Sequence, residues 1–290
     1  MAEITTPIQL CDPSRPGRLN RNAVGWSRVP LQHCNLSGRW PRKKRWNYWA
    51  VTNETHLFSM TISNIDYLGL AFLYLVDFEE GTVVEETVIT PFGRGCWMPE
   101  TVDRNVVFNS GKLRMGMVQY AQNSGHEVRL GTRMPTFGGV GLTADLLVTY
   151  PPDHDTLNVV IPWDDKRFQF TAKHNTLPVT GKVEFGDEAI EFGTEQSFAT
   201  LDFGRGVWPT KCTWNWGSAS GVFDGRTIGI QIGGQWTDGT GQTENAVMID
   251  GVIRKNDEDL VWDYDPEHWM RPWRIRSPLS SDIDLTFTPR

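Results

Sequence analysis

Two stretches of this chain set ionisable groups among indoles, and a third carries the histidine to watch. Leu201-Asp202-Phe203-Gly204-Arg205-Gly206-Val207-Trp208-Pro209 runs on to Trp214-Asn215-Trp216, placing a carboxylate and a guanidinium beside three tryptophans. Gly233-Gly234-Gln235-Trp236-Thr237-Asp238-Gly239 leads to Thr243-Glu244-Asn245, and Ala172-Lys173-His174-Asn175 closes an alternating run. Charged groups are costly to bury unless partnered, and large aromatics are costly to expose; a pocket wall reconciles the two. A carboxylate there works as general acid or base once desolvation and a neighbouring charge have set its pKa. The candidates for such chemistry are Asp202 and Glu244 as acid or base, with Asn245 orienting a water or a substrate oxygen. Arg205 would tune Asp202, and Trp208, Trp214, Trp216 and Trp236, with His174, would contact the substrate.

Each candidate also has a plainer reading. Asp202 and Arg205 would form a structural ion pair fixing a Gly-Arg-Gly turn. Trp214 and Trp216 share a strand face by period two and would be core packing, with Asn215 on the other face. Asp238-Gly239 is a hairpin-turn signal, which makes Asp238 a turn residue. Glu244 enters the strand Ala246-Val247-Met248-Ile249, where an inward Glu is costly unless paired or functional. His174 would be a satisfied surface histidine. The tail Glu267-His268-Trp269-Met270-Arg271-Pro272-Trp273-Arg274 would stack Arg on Trp for structural reasons alone.

Composition narrows the classes. A net charge of −7 argues against nucleic acid or an anionic membrane as the main partner. The basic run Arg42-Lys43-Lys44-Arg45 reads as a solvated turn rather than a phosphate grip. Phosphate loops, HExxH pairs and GxSxG elbows are absent, and no cofactor fingerprint is present. The six His are scattered, and Cys11, Cys34, Cys96 and Cys212 match no zinc spacing, so the expectation is no metal, no cofactor and reduced cysteines. The longest apolar run, Tyr67 to Val76, is about half of what a membrane span requires. The first residues lack a basic segment followed by an apolar one, which points to a soluble cytoplasmic protein.

Positioning these groups falls to strands. Leu113, Met115 and Met117 alternate, as do Leu142, Ala144, Leu146, Val148 and Tyr150, then Ile228, Ile230 and Ile232, and finally Ile283, Leu285 and Phe287. No helical stripe with caps is evident, so the expected class is all-β. Phe203-Gly204-Arg205-Gly206-Val207-Trp208 echoes Phe92-Gly93-Arg94-Gly95-Cys96-Trp97, and each is followed by Pro and then by Ser-Gly. This echo suggests an internal duplication, with an extended arm over 1–45, a first unit over 46–150 and a second over 151–290. The units would be lipocalin-like antiparallel barrels or curved sheets, wide enough inside for one small ligand. The shared Phe-Gly-Arg-Gly-x-Trp core then reads as a structural corner used twice. Function would lie in what the copies do not share, above all Asp202 and Glu244.

The run Asp202 to Pro209, with Trp214-Asn215-Trp216, Thr237-Asp238-Gly239-Thr240, Thr243-Glu244-Asn245 and Pro272-Trp273-Arg274, resembles the DUF2804 family. Lys166-Arg167-Phe168 and Leu177-Pro178-Val179-Thr180-Gly181 agree with it. The resemblance covers most of the chain from about residue 30 and implies no assigned activity. More remotely, the two-unit β layout is similar to carotenoid 1,2-hydratases and certain fungal pericyclases. That likeness implies a cofactor-free acid–base reaction on an apolar molecule. An acid would protonate an alkene, water would trap the cation, and indole faces would stabilise it by roughly 2 kcal/mol. The leading expectation is therefore a hydratase or dehydratase, isomerase or cyclase acting on a hydrophobic, terpenoid-like small molecule. A non-catalytic carrier of hydrophobes would offer an apolar cavity without a buried ionisable group, and a glycan-acting protein an open groove of exposed Trp.

Overall fold

The computed structural model describes residues 1–122 and 125–289. The chain begins as an extended arm with three two-residue strands, β1 (Ile8–Gln9), β2 (Trp26–Ser27) and β3 (Gln32–His33), and a 3-10 turn at Arg21–Ala23. The arm is anchored rather than loose: Leu10, Cys11, Leu19, Ala23 and Cys34 are buried, and β2 pairs with a later strand.

Four long strands form the next meander: β4 (Lys43–Thr52), β5 (His56–Asn64), β6 (Leu68–Asp77) and β7 (Thr82–Pro91). A second meander comprises β8 (Cys96–Trp97), β9 (Val106–Asn109), β10 (Arg114–Gln122), β11 (Gly125–Met134) and β12 (Leu142–Tyr150), with a 3-10 turn at Phe137–Gly139. Next come β13 (Leu157–Pro162), β14 (Phe168–Phe185), β15 (Glu188–Phe192) and β16 (Phe198–Val207). These strands, with β2 of the arm, form one 14-stranded sheet whose main path runs β7-β6-β5-β4-β16-β14-β12-β11-β10-β9-β8. The sheet curls into a half-barrel, and the fold is all-β and lipocalin-like, as the alternation implied.

The 18-residue β14 joins the two meanders. Its pairing with β16 shifts register between His174 and Leu177, where Thr176 adopts φ 55°. Such a bulge bends a strand and re-aims the residues beyond it. One apolar cluster packs against the sheet, including Trp49, Phe58, Met60, Phe108, Leu130, Leu146, Phe170 and Phe203.

A four-stranded antiparallel sheet, β17 (Asn215–Phe223), β18 (Arg226–Gly234), β19 (Asn245–Ile249) and β20 (Val252–Asn256), comes next. A last three-stranded sheet holds β21 (Val261–Asp263), β22 (Trp273–Arg276) and β23 (Asp284–Phe287). A second apolar cluster includes Trp26, Leu157, Ile161, Trp208, Trp236 and Met248. Among the described residues no helix is long and apolar enough to cross a membrane.

The two Phe-Gly-Arg-Gly copies do not share a local structure. Phe92 to Gly95 is a turn with Phe92, Gly93 and Gly95 all at positive φ, closing the end of β7. Phe203 to Val207 is extended in β16, with β4 on one side and β14 on the other. The reading of one corner used twice gives way for this reason. Glycines in a central strand mark close approach rather than a turn: a Cβ on Gly204 would overlap the indole of Trp46.

Candidate functional site

Strand periodicity decides which side chains meet. Along β16, Asp202, Gly204 and Gly206 face away from the main core, while Leu201 and Phe203 face into it. The matching face of β4 carries Lys44, Trp46 and Tyr48, that of β5 carries Thr61 and Ser63, and β14 contributes Lys173. Register aligns Lys173 with Asp202, Asp202 with Tyr48, Tyr48 with Thr61, and Thr61 with Phe72. One row thus crosses five adjacent strands.

Over this row lies a cavity of about 490 Å³. Its remaining wall comes from Trp208 at the exit of β16, Trp214 and Trp216 where β17 begins, and Trp236 and Glu244 from the β18–β19 connection. Trp208 and Trp236 stack with centroids 5.6 Å apart, and Trp46 meets Trp208 edge-on. Trp214 is exposed at the rim, whereas Trp208 and Trp236 are buried.

The charged centre is a carboxylate–lysine–carboxylate set. Lys173 Nζ is 2.8 Å from Asp202 Oδ2 and 3.0 Å from Glu244 Oε2. Lys173 and Glu244 are 3% and 1% exposed at the side chain, and Asp202 is 18% exposed, so Glu244 is the deeper carboxylate. The indole N–H of Trp236 donates to Glu244 Oε1 at 2.6 Å, and the Thr171 hydroxyl donates to Asp202 Oδ1 at 3.3 Å. The Lys173 ammonium also lies 5.3 Å over the Trp216 ring.

Burial opposes the charge on Lys173, but its two carboxylates outweigh that and hold its pKa above the ordinary lysine value. Burial pushes the Glu244 carboxyl up, reinforced by Asp202, against the pull of Lys173 and Trp236. With every group ionised the set carries one net negative charge inside an apolar wall. One proton on the set cancels that charge, and Glu244 is where burial favours it.

Of the residues singled out from sequence, Asp202, Glu244, Trp208, Trp214, Trp216 and Trp236 converge on this cavity. Three do not. Arg205 lies on the opposite face of β16, because 202 and 205 differ by an odd number of positions in an extended strand. Its guanidinium donates to Pro99 O, Trp46 O, Gly204 O and Asn47 Oδ1, and it makes no ion pair with Asp202. Asn245 is buried with Oδ1 accepting from Gly233 N and Nδ2 donating to Glu258 O, so it braces the β18–β19 connection. His174 is buried rather than superficial: it faces Tyr150, whose hydroxyl is 2.6 Å from Nδ1, and burial pulls its pKa down to about 3.

Sequence reasoning missed Lys173, Tyr48, Trp46, Thr61 and Lys44. Lys173 had a readable signal. Phe168, Phe170 and Ala172 alternate with Gln169, Thr171 and Lys173, which is a strand with a polar second face, although its neighbour His174 is the more conspicuous residue. Lys44 belongs to the basic run read as a solvated turn, but Lys43 to Arg45 of that run open β4. Among the described residues no three His, Cys, Asp or Glu side chains converge as a metal set would.

Gly233 makes room for the acid, since a Cβ there would overlap the Glu244 carboxylate. Gly233→Ala should push Glu244 off the Trp236 N–H and cost about 1–3 kcal/mol, as overpacking does. Thermal unfolding and the emission maximum of the tryptophans read the two effects; an unchanged maximum and melting point would refute this role for Gly233.

The family described as Domain of unknown function (DUF2804) matches residues 1–290. No curated protein matches the chain. The crystal structure of a Nitrosomonas europaea protein provisionally named AttH superposes with TM-score 0.51 at 12% identity, covering 82% of this chain and 78% of that one. The structure of kievitone hydratase from Nectria haematococca gives TM-score 0.46 at 7% identity, covering 82% and 74%. The first likeness is one of fold alone, and the second, below 0.5, does not establish even that.

Proposed function

The chain belongs to the DUF2804 family, and from the geometry of its site we propose a cofactor-independent acid–base enzyme acting on a hydrophobic small molecule. The observation that carries this reading is the buried Asp202–Lys173–Glu244 set on the wall of an indole-lined cavity. A simple carrier has no use for two carboxylates in its binding site, because burying charge costs several kcal/mol per group and filling a cavity does not require it.

Glu244 is the acid. Its carboxyl proton passes to one carbon of an alkene, and the cation left on the other carbon is flanked by the faces of the cavity tryptophans, an interaction worth about 2 kcal/mol once desolvated. Water then adds to that carbon, and the Glu244 carboxylate takes back one of its protons. The reverse sequence is a dehydration. Loss of a different proton from the cation isomerises the alkene, and attack by a second alkene of the same molecule closes a ring. Lys173, held between the carboxylates, keeps Glu244 aimed, and Trp236 fixes its second oxygen.

Glu244→Gln keeps the shape and the Trp236 contact but has no proton to give. Extraction of apolar compounds co-purifying with the wild-type and Glu244→Gln proteins should recover the product from the first and the substrate from the second. Masses that differ by one water mean hydration or dehydration. Equal masses with different retention mean isomerisation or cyclisation. The same compound from both proteins would sink the catalytic reading and leave a carrier.

A further inference from the structure

One cation in the cavity is not accounted for by the acid–base set. On β4, Lys43 and Arg45 point to the other face and share Asp66, each at 3.3 Å. Lys44 lies between them on the cavity face, half-buried, with its ammonium 4.9 Å over the Trp208 ring. Among the described residues no carboxylate lies within ion-pair distance of it. The titratable group beside it is the Cys212 thiol, which burial pushes up and so keeps neutral. Burial accordingly pulls the Lys44 pKa below the ordinary lysine value.

Position adds a second observation. Lys44 is four residues from Tyr48 on the same strand face, which is about 13 Å along β4 at the usual rise per residue. Between them the wall is mostly indole, formed by Trp46 with Trp208 and Trp236 packed beside it, and the one hydroxyl opposite Trp46, that of Ser63, already donates to Arg45 O. At the Tyr48 end the Thr61 hydroxyl is buried, lines the cavity and has no hydrogen-bond partner. The cavity is therefore polar at its two ends, with indoles and no unsatisfied polar side chain of β4 or β5 through its middle.

We infer that the ligand is amphipathic: its apolar body lies on Trp46, Trp208 and Trp236, and an anionic oxygen group at one end is received by Lys44. This rests on the acid–base reading of the same cavity and narrows its substrate class from apolar molecules to apolar molecules with a carboxylate, sulfonate or phosphate terminus. The anion supplies the counter-charge Lys44 lacks, and its distance from the Asp202 row sets which bond of the body is presented to Glu244.

A matched pair of probes tests this. 1-Anilinonaphthalene-8-sulfonate and N-phenyl-1-naphthylamine share the apolar body and differ by the sulfonate. Titration followed by probe fluorescence should show the sulfonate binding about tenfold tighter, the scale of one hydrogen-bonded charge contact. Lys44→Gln should remove that preference, Lys44→Arg should keep it, and neither should move the affinity for the neutral probe. Equal affinities in the wild type, or a preference unmoved in Lys44→Gln, would overturn the inference while the neutral probe's binding leaves the acid–base reading standing. If neither probe binds, the inference falls together with the cavity as a binding site.

Discussion

Replacing Lys173 by Met should lower the melting temperature by on the order of 10 °C, with the loss growing as pH rises. The ammonium sits within 3.0 Å of both Asp202 Oδ2 and Glu244 Oε2, and among the described residues no other cation is within ion-pair distance of either. Taking one partner from a buried ion set leaves uncompensated charge and costs about 3–5 kcal/mol, which for a chain of this size corresponds to about 2–4 °C per kcal/mol. The sign of the pH dependence comes from Glu244. Its pKa is already raised above the ordinary 4.5, so the folded state binds that proton more tightly than the unfolded chain. The contribution is complete below pH 4.5 and is lost as pH climbs through the folded value. Without Lys173 to pull it down, the folded value rises further, so the window of falling stability extends upward. Lys173 itself is raised above 10.5, so its own contribution holds through neutrality and is lost only in stronger alkali. Thermal unfolding of both proteins between pH 5 and 8 (a range spanning the ordinary histidine and raised-carboxyl region) reads the two slopes. Lys173→Met/Glu244→Gln should recover much of the loss by removing one of the two stranded carboxylates. Parallel slopes, or a melting point within about 2 °C of wild type, would show that the set is not held by its lysine.

The parts of this protein readable from sequence are those whose signal is local. The β12 residues Leu142 to Tyr150 alternate cleanly and form the strand their pattern implies, and Trp208, Trp214, Trp216 and Trp236, set beside ionisable groups, lie on the cavity wall. Asp202 and Glu244 stood out as carboxylates in apolar company. What stayed hidden depends on register. Lys173, Asp202, Tyr48 and Thr61 meet because four strands align over a sequence separation greater than a hundred residues, and no neighbouring residue records that alignment. Arg205 was misplaced through its glycines: Gly204 and Gly206 suggested a turn, which would have let 202 and 205 meet, whereas they clear space for Trp46 and for the Phe168–Gln169 segment inside a strand. Once that segment is extended, period two sends the guanidinium to the far side of the sheet. Asn245 was drawn toward the site by sequence adjacency to Glu244, and His174 because it closes an alternating run, although the residue before it in that strand, Lys173, is the one on the cavity face.

Arg205→Ala should be the most damaging single change outside the cavity, and it should leave the ligand affinity of any folded protein intact. Arg205 is 1% exposed, and its guanidinium carbon lies 3.8 Å from the Phe203 ring centroid. Burial pulls its pKa down to about 9, so carrying a charge here is costly. Four acceptors offset that cost: Pro99 O at 3.0 Å, Trp46 O at 2.8 Å, Gly204 O at 2.9 Å and Asn47 Oδ1 at 2.8 Å. These belong to β16, β4 and the segment after β8, so one side chain ties the centre of the sheet to its second meander. Removal relieves the burial cost but strands four acceptors, each worth about 1–3 kcal/mol, and leaves a void the size of the side chain. The orphaned acceptors dominate, and a net loss of about 4 kcal/mol or more is expected. Arg205→Met fills the void and strands the same acceptors, so it should fall between wild type and Arg205→Ala. Folded yield and thermal unfolding rank the three proteins, and N-phenyl-1-naphthylamine titration of the folded fraction tests the face. A Met variant as weak as the Ala variant would remove the void from the account. A lost probe affinity in folded Arg205→Met would mean that the two faces of β16 are coupled, since Arg205 does not line the cavity and reaches its wall through the backbone of Trp46.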